Sequence, residues 1–253
     1  MEGTCKLCDC FSELSNSHVI PEFFYEKIYD KNPRKYWYLS LADKEQTKKK
    51  EQKGLREYLF CPACETKLSK YETYACEIIY AKNRRSPVIK KISKATNFLV
   101  VHIFEGFDYD KFKLFLLSIL FRLSISKEKF VGVRINSKNT AELKKALNEE
   151  NALNEDEYPC LVQLLLQTDN TPFNGTILGP FKTDLNGNQV ISILLDGFYF
   201  SFFLGSIKIP DKDHGYFLSK NGQMAIVQRY ISEDQTLMDA ISMIMTNFGA
   251  LYK

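Results

Sequence analysis

Four cysteines in two close pairs, Cys5 and Cys8 in "CKLC" and Cys61 and Cys64 in "CPAC", stand out chemically in this 253-residue chain. A pair separated by two residues bends the backbone so that two thiolates take adjacent corners of a tetrahedron. Two such pairs close a four-sulfur zinc site with no open position, the mark of a structural ion rather than a catalytic one. Six of the seven cysteines fall within the first 76 residues, which in a reducing compartment reads as metal ligation rather than disulfide pairing. Cys10 offers a substitute for Cys8 at a wider spacing from Cys5, and Cys76 is spare. Between the pairs lies His18, in "SHVIP", one of three histidines. A histidine beside apolar residues is ordinarily a packed core residue. Between two metal knuckles it is also a candidate general base, since an imidazole with a pKa of about 6.5 accepts protons at neutral pH.

The elements that must position these groups follow from pattern. Residues 1–20 read as a knuckle and a short strand containing "HVI"; "PEFFYEKIYD" (21–30), with Pro first and Glu next, predicts a short helix. "NPRKYWYLSL" (32–41) is a turn followed by a strand, residues 42–54 a mobile charged loop ending at Gly54, and "LREYLF" (55–60) a strand or turn. Leu68, Tyr71, Ala75, Ile78 and Ile79 recur at helical spacing, so a helix runs from Pro62 to about Lys82 with Cys64 in its first turn. Knuckle, strand, loop, then a knuckle opening a helix is the order of a treble clef. The 52 residues between the pairs require a subdomain inserted between the knuckles.

Beyond Pro87 the character changes. "NFLVVHIF" (97–104) predicts a strand, 109–125 a buried apolar helix and 139–150 a capped amphipathic helix. "CLVQLLLQT", "QVISILL", "FYFSFFLG" and "QMAIVQRY" predict strands separated by Gly, Asn and Asp turns, and 232–249 a helix capped by Ser232. The aromatic strand "GFYFSFFLG" is read as core. The fold class expected is therefore α+β: a small zinc-binding module over residues 1–86, followed by a larger α+β domain over 87–253. His102 and His214 are read as structural.

Cys5, Cys8, "SHVIP" and "LFCPACE" together resemble the HNH, or ββα-metal, endonucleases of the zinc-stabilised treble-clef kind, over about the first 80 residues. The resemblance implies His18 as the base that activates water against a phosphodiester, most simply in DNA. It also implies a divalent ion, Mg2+ or Mn2+, held by the strand and the following helix. Ser17 stands where the family has an Asp or His ligand, and Glu65 where it has Asn or His; a carboxylate suits a hard cation. Glu72, seven residues on, falls near the same helix face and is the third candidate. The family's middle Asn has no clear counterpart; Arg56 is nearest. A role in bacterial anti-phage defence would extend the same resemblance.

Charge and hydropathy restrict the partners. Mean hydropathy is −0.25, and "KLFLLSILFRLSI" (113–125) is too short to span a bilayer and carries Arg122. Residues 1–20 hold acids and no apolar core of a signal peptide, so a cytoplasmic protein is expected. Residues 1–94 carry 19 Lys and Arg against 13 Asp and Glu, a net +6, whereas 95–253 carry 15 against 18. The excess gathers in "KKKEQK" and "KNRRSPVIKKISK". Lys48, Lys49, Lys50, Lys53, Arg56, Arg84 and Arg85 are thus candidate phosphate contacts, although such runs are commonly plain solvated surface. Two other readings stand beside the nuclease: a non-catalytic zinc treble clef that binds nucleic acid or protein, and an unrelated enzymatic site in the C-terminal part. In the nuclease reading that part dimerises, senses a signal or selects the target.

Overall fold

A computed structural model describes residues 1–30, 32–39, 48–80, 89–96, 99–127 and 133–248. Strands β1 (Glu2–Thr4) and β2 (Phe11–Glu13) pair antiparallel, and the first cysteine pair sits in the turn that joins them. β3 (Ser15–His18) pairs antiparallel with β6 (Arg56–Phe60), and β4 (Tyr36–Leu39) with β5 (Lys48–Glu51). The β3–β6 pair leads directly into α1 (Pro62–Tyr80), whose first turn carries Cys64.

Three expectations are corrected here. Residues 21–30 form not a helix but a 3₁₀ turn at Glu22–Phe24 and further turns; three consecutive aromatic side chains, Phe23, Phe24 and Tyr25, are all buried, a pattern that does not fit the single apolar stripe of a surface helix. Residues 48–51, expected in a mobile loop, form β5, because the aromatic-rich β4 offers a strand to pair with. β3 ends at His18, so Val19 and Ile20 leave the strand and enter the core. Gly54 is required where it stands: a Cβ there would lie 2.6 Å from the Tyr25 ring, and its N–H donates to Tyr29 Oη at 2.9 Å.

The rest of the chain builds a seven-stranded sheet. Its strands are β7 (Ile89–Thr96), β8 (Leu99–Glu105), β9 (Cys160–Leu166), β10 (Ile177–Leu185), β11 (Asn188–Leu195), β12 (Phe198–Phe203) and β13 (Gln223–Tyr230), in the order β10-β11-β12-β9-β13-β8-β7. Only β9 and β13 run parallel within it. The hairpins β10–β11 and β11–β12 turn at Asn186-Gly187 and Asp196-Gly197, all four at positive φ, as tight hairpin turns require. α2 (Tyr109–Ile125) and α3 (Ser137–Asn148) precede β9, and α4 (Gln235–Phe248) follows β13. The α+β class is as expected; the expected boundary at 86/87 lies outside the described residues. α4 starts later than expected, because Asp234 rather than Ser232 caps it, accepting from the Leu237 N–H at 3.1 Å.

α2 is buried from Phe112 to Leu123 and packs on both α1 and α3. One hydrophobic cluster runs from the cysteine knuckles through α2 into β9, β11 and β12. Phe23 faces Phe115 at 6.0 Å, Phe24 faces Phe200 at 6.1 Å and Phe60 stacks on Phe121 at 6.1 Å. Two polar links reinforce it. Lys144 of α3 meets Asp9 of the first knuckle at 2.5 Å. At the β11–β12 turn the fully buried Asp196 accepts from Tyr80 Oη (2.6 Å) and Gly175 N–H (2.7 Å) and lies 3.1 Å from Lys27 Nζ.

Asp196 thus joins the end of α1 and the 3₁₀ region to a sheet hairpin. Asp196→Ala would strand a buried hydroxyl and a backbone N–H, a loss of about 3 kcal/mol. The urea midpoint should fall with little change in m. Asp196→Asn, which tolerates the positive φ and keeps an acceptor, should lose less.

Candidate functional site

The sulfur atoms of Cys5, Cys8, Cys61 and Cys64 all lie within 4.8 Å of one another. Cys8 Sγ and Cys61 Sγ are 3.8 Å apart, against an S···S edge of about 3.8 Å for a tetrahedron with zinc–sulfur bonds of 2.3 Å. The backbone prepares this geometry. Cys5 N–H donates to Cys10 C=O at 2.9 Å, Asp9 at positive φ closes the turn, and Lys6 N–H reaches Leu59 C=O at 2.8 Å to hold one knuckle against the other. Cys61 N–H points at Cys5 Sγ, 3.3 Å away. Burial and the neighbouring thiols push Cys64 far above the ordinary thiol range; four crowded sulfurs become stable thiolates only when a cation neutralises them. The set can therefore hold a metal ion, and its chemistry matches structural zinc.

Cys10 is not part of the set. It is exposed, and its contact with Cys8, with some desolvation, pushes its thiol up to about 11. Its sulfur is not among the four that lie within 4.8 Å of one another.

His18 closes β3 directly opposite Arg56 of β6. Its side chain is 22% exposed, and Nε2 lies 2.8 Å from Glu22 Oε2. The approach is off the hydrogen-bond direction: both atoms are buried and lack a hydrogen-bond partner among the described residues. Glu22 gathers a group around it. Arg34 contacts Oε1, Tyr29 Oη donates to Oε1 at 3.1 Å, and Arg56 Nη2 stands 4.0 Å from Oε2. Glu72 of α1 completes the group, and its Oε1 lies 2.5 Å from Nη1 of Arg122 on α2. Burial, then Arg56, pushes the His18 imidazole below its ordinary 6.5, while Glu22 and Glu72 pull it back up less strongly. The imidazole is neutral at pH 7.

The candidates read from sequence fare differently. His18 and Glu72 come near enough to interact electrostatically. Glu65, in the first turn of α1, has one buried oxygen, Oε1, without a hydrogen-bond partner. His18, Glu65 and Glu72 do not draw into one coordination sphere: among the described residues, the four cysteines are the only set of three or more such ligands that does. Ser17 is buried, with its hydroxyl donating to Ser15 C=O at 3.3 Å. On a strand it faces opposite to His18. Lys48, Lys49 and Lys50 lie on β5, Lys50 and Lys53 are exposed, and Arg84 and Arg85 lie outside the described residues.

Glu22 and Arg122 were not among the sequence candidates. Each had a signal: Glu22 follows His18 by four residues, just after the proline, and Arg122 is a charge within an otherwise apolar helix. Among the described residues no helix is long and apolar enough to cross a membrane. Comparison with protein-family models, curated proteins and solved structures finds no match to this chain.

If the four thiols hold zinc, binding contributes on the order of 10–16 kcal/mol at neutral pH. Metal analysis should find one zinc per chain, and the Cys61→Ser, Cys64→Ser double variant should lose both the ion and the near-ultraviolet dichroism of the N-terminal aromatics. Zinc retained at full stoichiometry by that variant would reject the ligand set.

Proposed function

We propose that the chain is an HNH-like, metal-dependent endonuclease in which a zinc-bound treble clef holds His18 as the general base against a phosphodiester, most simply of DNA. The observation that carries this reading is a neutral, half-buried imidazole at the end of β3, backed by the Glu22 carboxylate and tied through the β3–β6 pair to the four-cysteine knuckles. With Nε2 turned to Glu22, Nδ1 is the nitrogen that takes the proton from an attacking water. The Glu22 carboxylate, 2.8 Å away, stabilises the imidazolium that forms. Arg56, opposite His18, supplies positive charge for the phosphate. The basic excess of the first 94 residues supports a polyanionic partner.

A divalent ion, when bound, would stabilise charge on the leaving oxygen. Mg2+ is usually held by one or two carboxylates together with substrate phosphate oxygens and water, so a full protein cage is not required. Glu65, whose buried Oε1 has no hydrogen-bond partner among the described residues, is suited to such a role.

A specific observation favours a second reading, a non-catalytic zinc module that binds nucleic acid or protein. Glu22 and Glu72 already face guanidinium groups, Arg34 and Arg122, which neutralise the carboxylates a cation would otherwise use.

Incubation with plasmid, single-stranded DNA and RNA in Mg2+ or Mn2+ separates the two. The wild type should cleave, and His18→Ala should be slower by about 10²-fold or more. Because the base works unprotonated and its pKa is lowered from 6.5, cleavage should be level above pH 6.5 and fall only on further acidification. Equal cleavage by His18→Ala, or none by the wild type, would reject the nuclease.

A further inference from the structure

We propose that Cys8 and Cys10 form a site of oxidative modification, at which a peroxide joins the two sulfurs as a disulfide and the first knuckle gives up its metal ion. The proposal rests on the four-thiol ligand set and is independent of the nuclease reading.

The four ligands are unequally protected. Cys5, Cys61 and Cys64 are buried, whereas Cys8 is only half-buried, so Cys8 is the sulfur that a small oxidant in solution reaches first. Beside it stands a fifth thiol. Cys10 is exposed, lies outside the set of four, and touches Cys8 through its side chain. An accessible metal-held thiolate next to a thiol able to resolve its sulfenic acid is the pairing that peroxide oxidation selects.

The backbone between them suits closure. Asp9 stands at a φ of 61°, and a residue in the left-handed helical region sets the Cα atoms on either side about 5.4 Å apart. That separation falls within the roughly 4.4–6.8 Å that disulfides span. Cys5 N–H donates to Cys10 C=O at 2.9 Å and Asp9 N–H to Cys5 C=O at 3.1 Å, which keeps the turn closed. Through Asp9 and Lys144 the same turn is tied to α3, so a change in the knuckle bears on the larger part of the fold.

Hydrogen peroxide is the oxidant. The Cys8 thiolate attacks one peroxide oxygen, the O–O bond breaks and hydroxide leaves, which makes a sulfenic acid. The Cys10 thiol then displaces the sulfenic oxygen, which departs with the thiol proton as water. Two electrons have passed from the two sulfurs to the peroxide. Cys5, Cys61 and Cys64 remain, and three thiolates leave open the position that a fourth had closed.

The test treats the full-length, zinc-loaded chain with hydrogen peroxide. A chromophoric chelator reads the zinc released, and mass spectrometry of tryptic peptides locates the disulfide; Cys8 and Cys10 share the peptide 7–27, from which Cys5, Cys61 and Cys64 are absent. One zinc should leave for each peptide 7–27 that loses two hydrogens, and dithiothreitol with added zinc should reverse both changes. Cys10→Ser should hold one zinc before treatment and release it about tenfold more slowly, because a neighbouring thiol acts at high effective concentration. Release at an unchanged rate from Cys10→Ser, or a disulfide between Cys8 and Cys61, overturns the site. Absence of zinc from untreated Cys10→Ser would make Cys10 a ligand and overturns it as well. A wild type that binds no zinc rejects the ligand set and the switch together, whereas zinc that is bound and stays bound under peroxide rejects the switch alone.

Discussion

From Phe112 to Leu123 α2 is buried on every face, and it imposes that cover on the remainder of the chain. α1 covers one side, α3 another, and the aromatic side chains of the 3₁₀ region meet it where they also meet the sheet. The N-terminal module has few aliphatic residues of its own; it borrows a core by laying Phe23, Phe24 and Phe60 against α2 and β12. The two buried charges of α2 illustrate how strict the condition is. Lys113 is satisfied by the carbonyls of Glu157 and Tyr158, with burial pushing it down to about 8, whereas Arg122 stays buried and pairs with Glu72.

That pairing connects the covering of α2 to chemistry. The guanidinium of Arg122, the carboxylates of Glu22 and Glu72 and the imidazole of His18 come from α2, the 3₁₀ turn, α1 and β3, four elements that meet only because α2 is enclosed. In partly desolvated surroundings, charges act on one another far more strongly than in water. Small changes in any of them therefore bear on the protonation of His18. The four cysteines work at the opposite end of the same hairpin-and-helix unit, where a metal ion would hold β1–β2, β6 and the start of α1 in one register.

Legibility followed the strength of local signals. α1, α2, β8, β9, β11, β12 and β13 were readable because their apolar spacing is regular and their turns are marked by Asn-Gly and Asp-Gly. The two strands of the large sheet that were missed are its edges. β10 contains Gly179-Pro180, placed at a register shift between Leu178 and Phe181, where an edge strand tolerates proline. β7 reads as a basic run because edge strands carry lysines that discourage further pairing. β5 failed to register as a strand for a related reason: its lysines pair with β4 through the backbone, which leaves no apolar pattern to read.

The amino-acid sequence by itself determined the four-thiol site, since two pairs at fixed spacing leave the backbone little choice about where their sulfurs point. It also singled out His18, through its place between the knuckles. The company that His18 keeps was decided only by tertiary structure. Glu72 and Arg122 are 50 residues apart in the chain, and no local pattern records that a buried guanidinium must seek a carboxylate on another helix. Ser17, which stands where the resembled family has a metal ligand, points the other way because alternate side chains of a strand face opposite sides. Burial then set the imidazole's charge, and burial is a property of the packed molecule rather than of any segment within it.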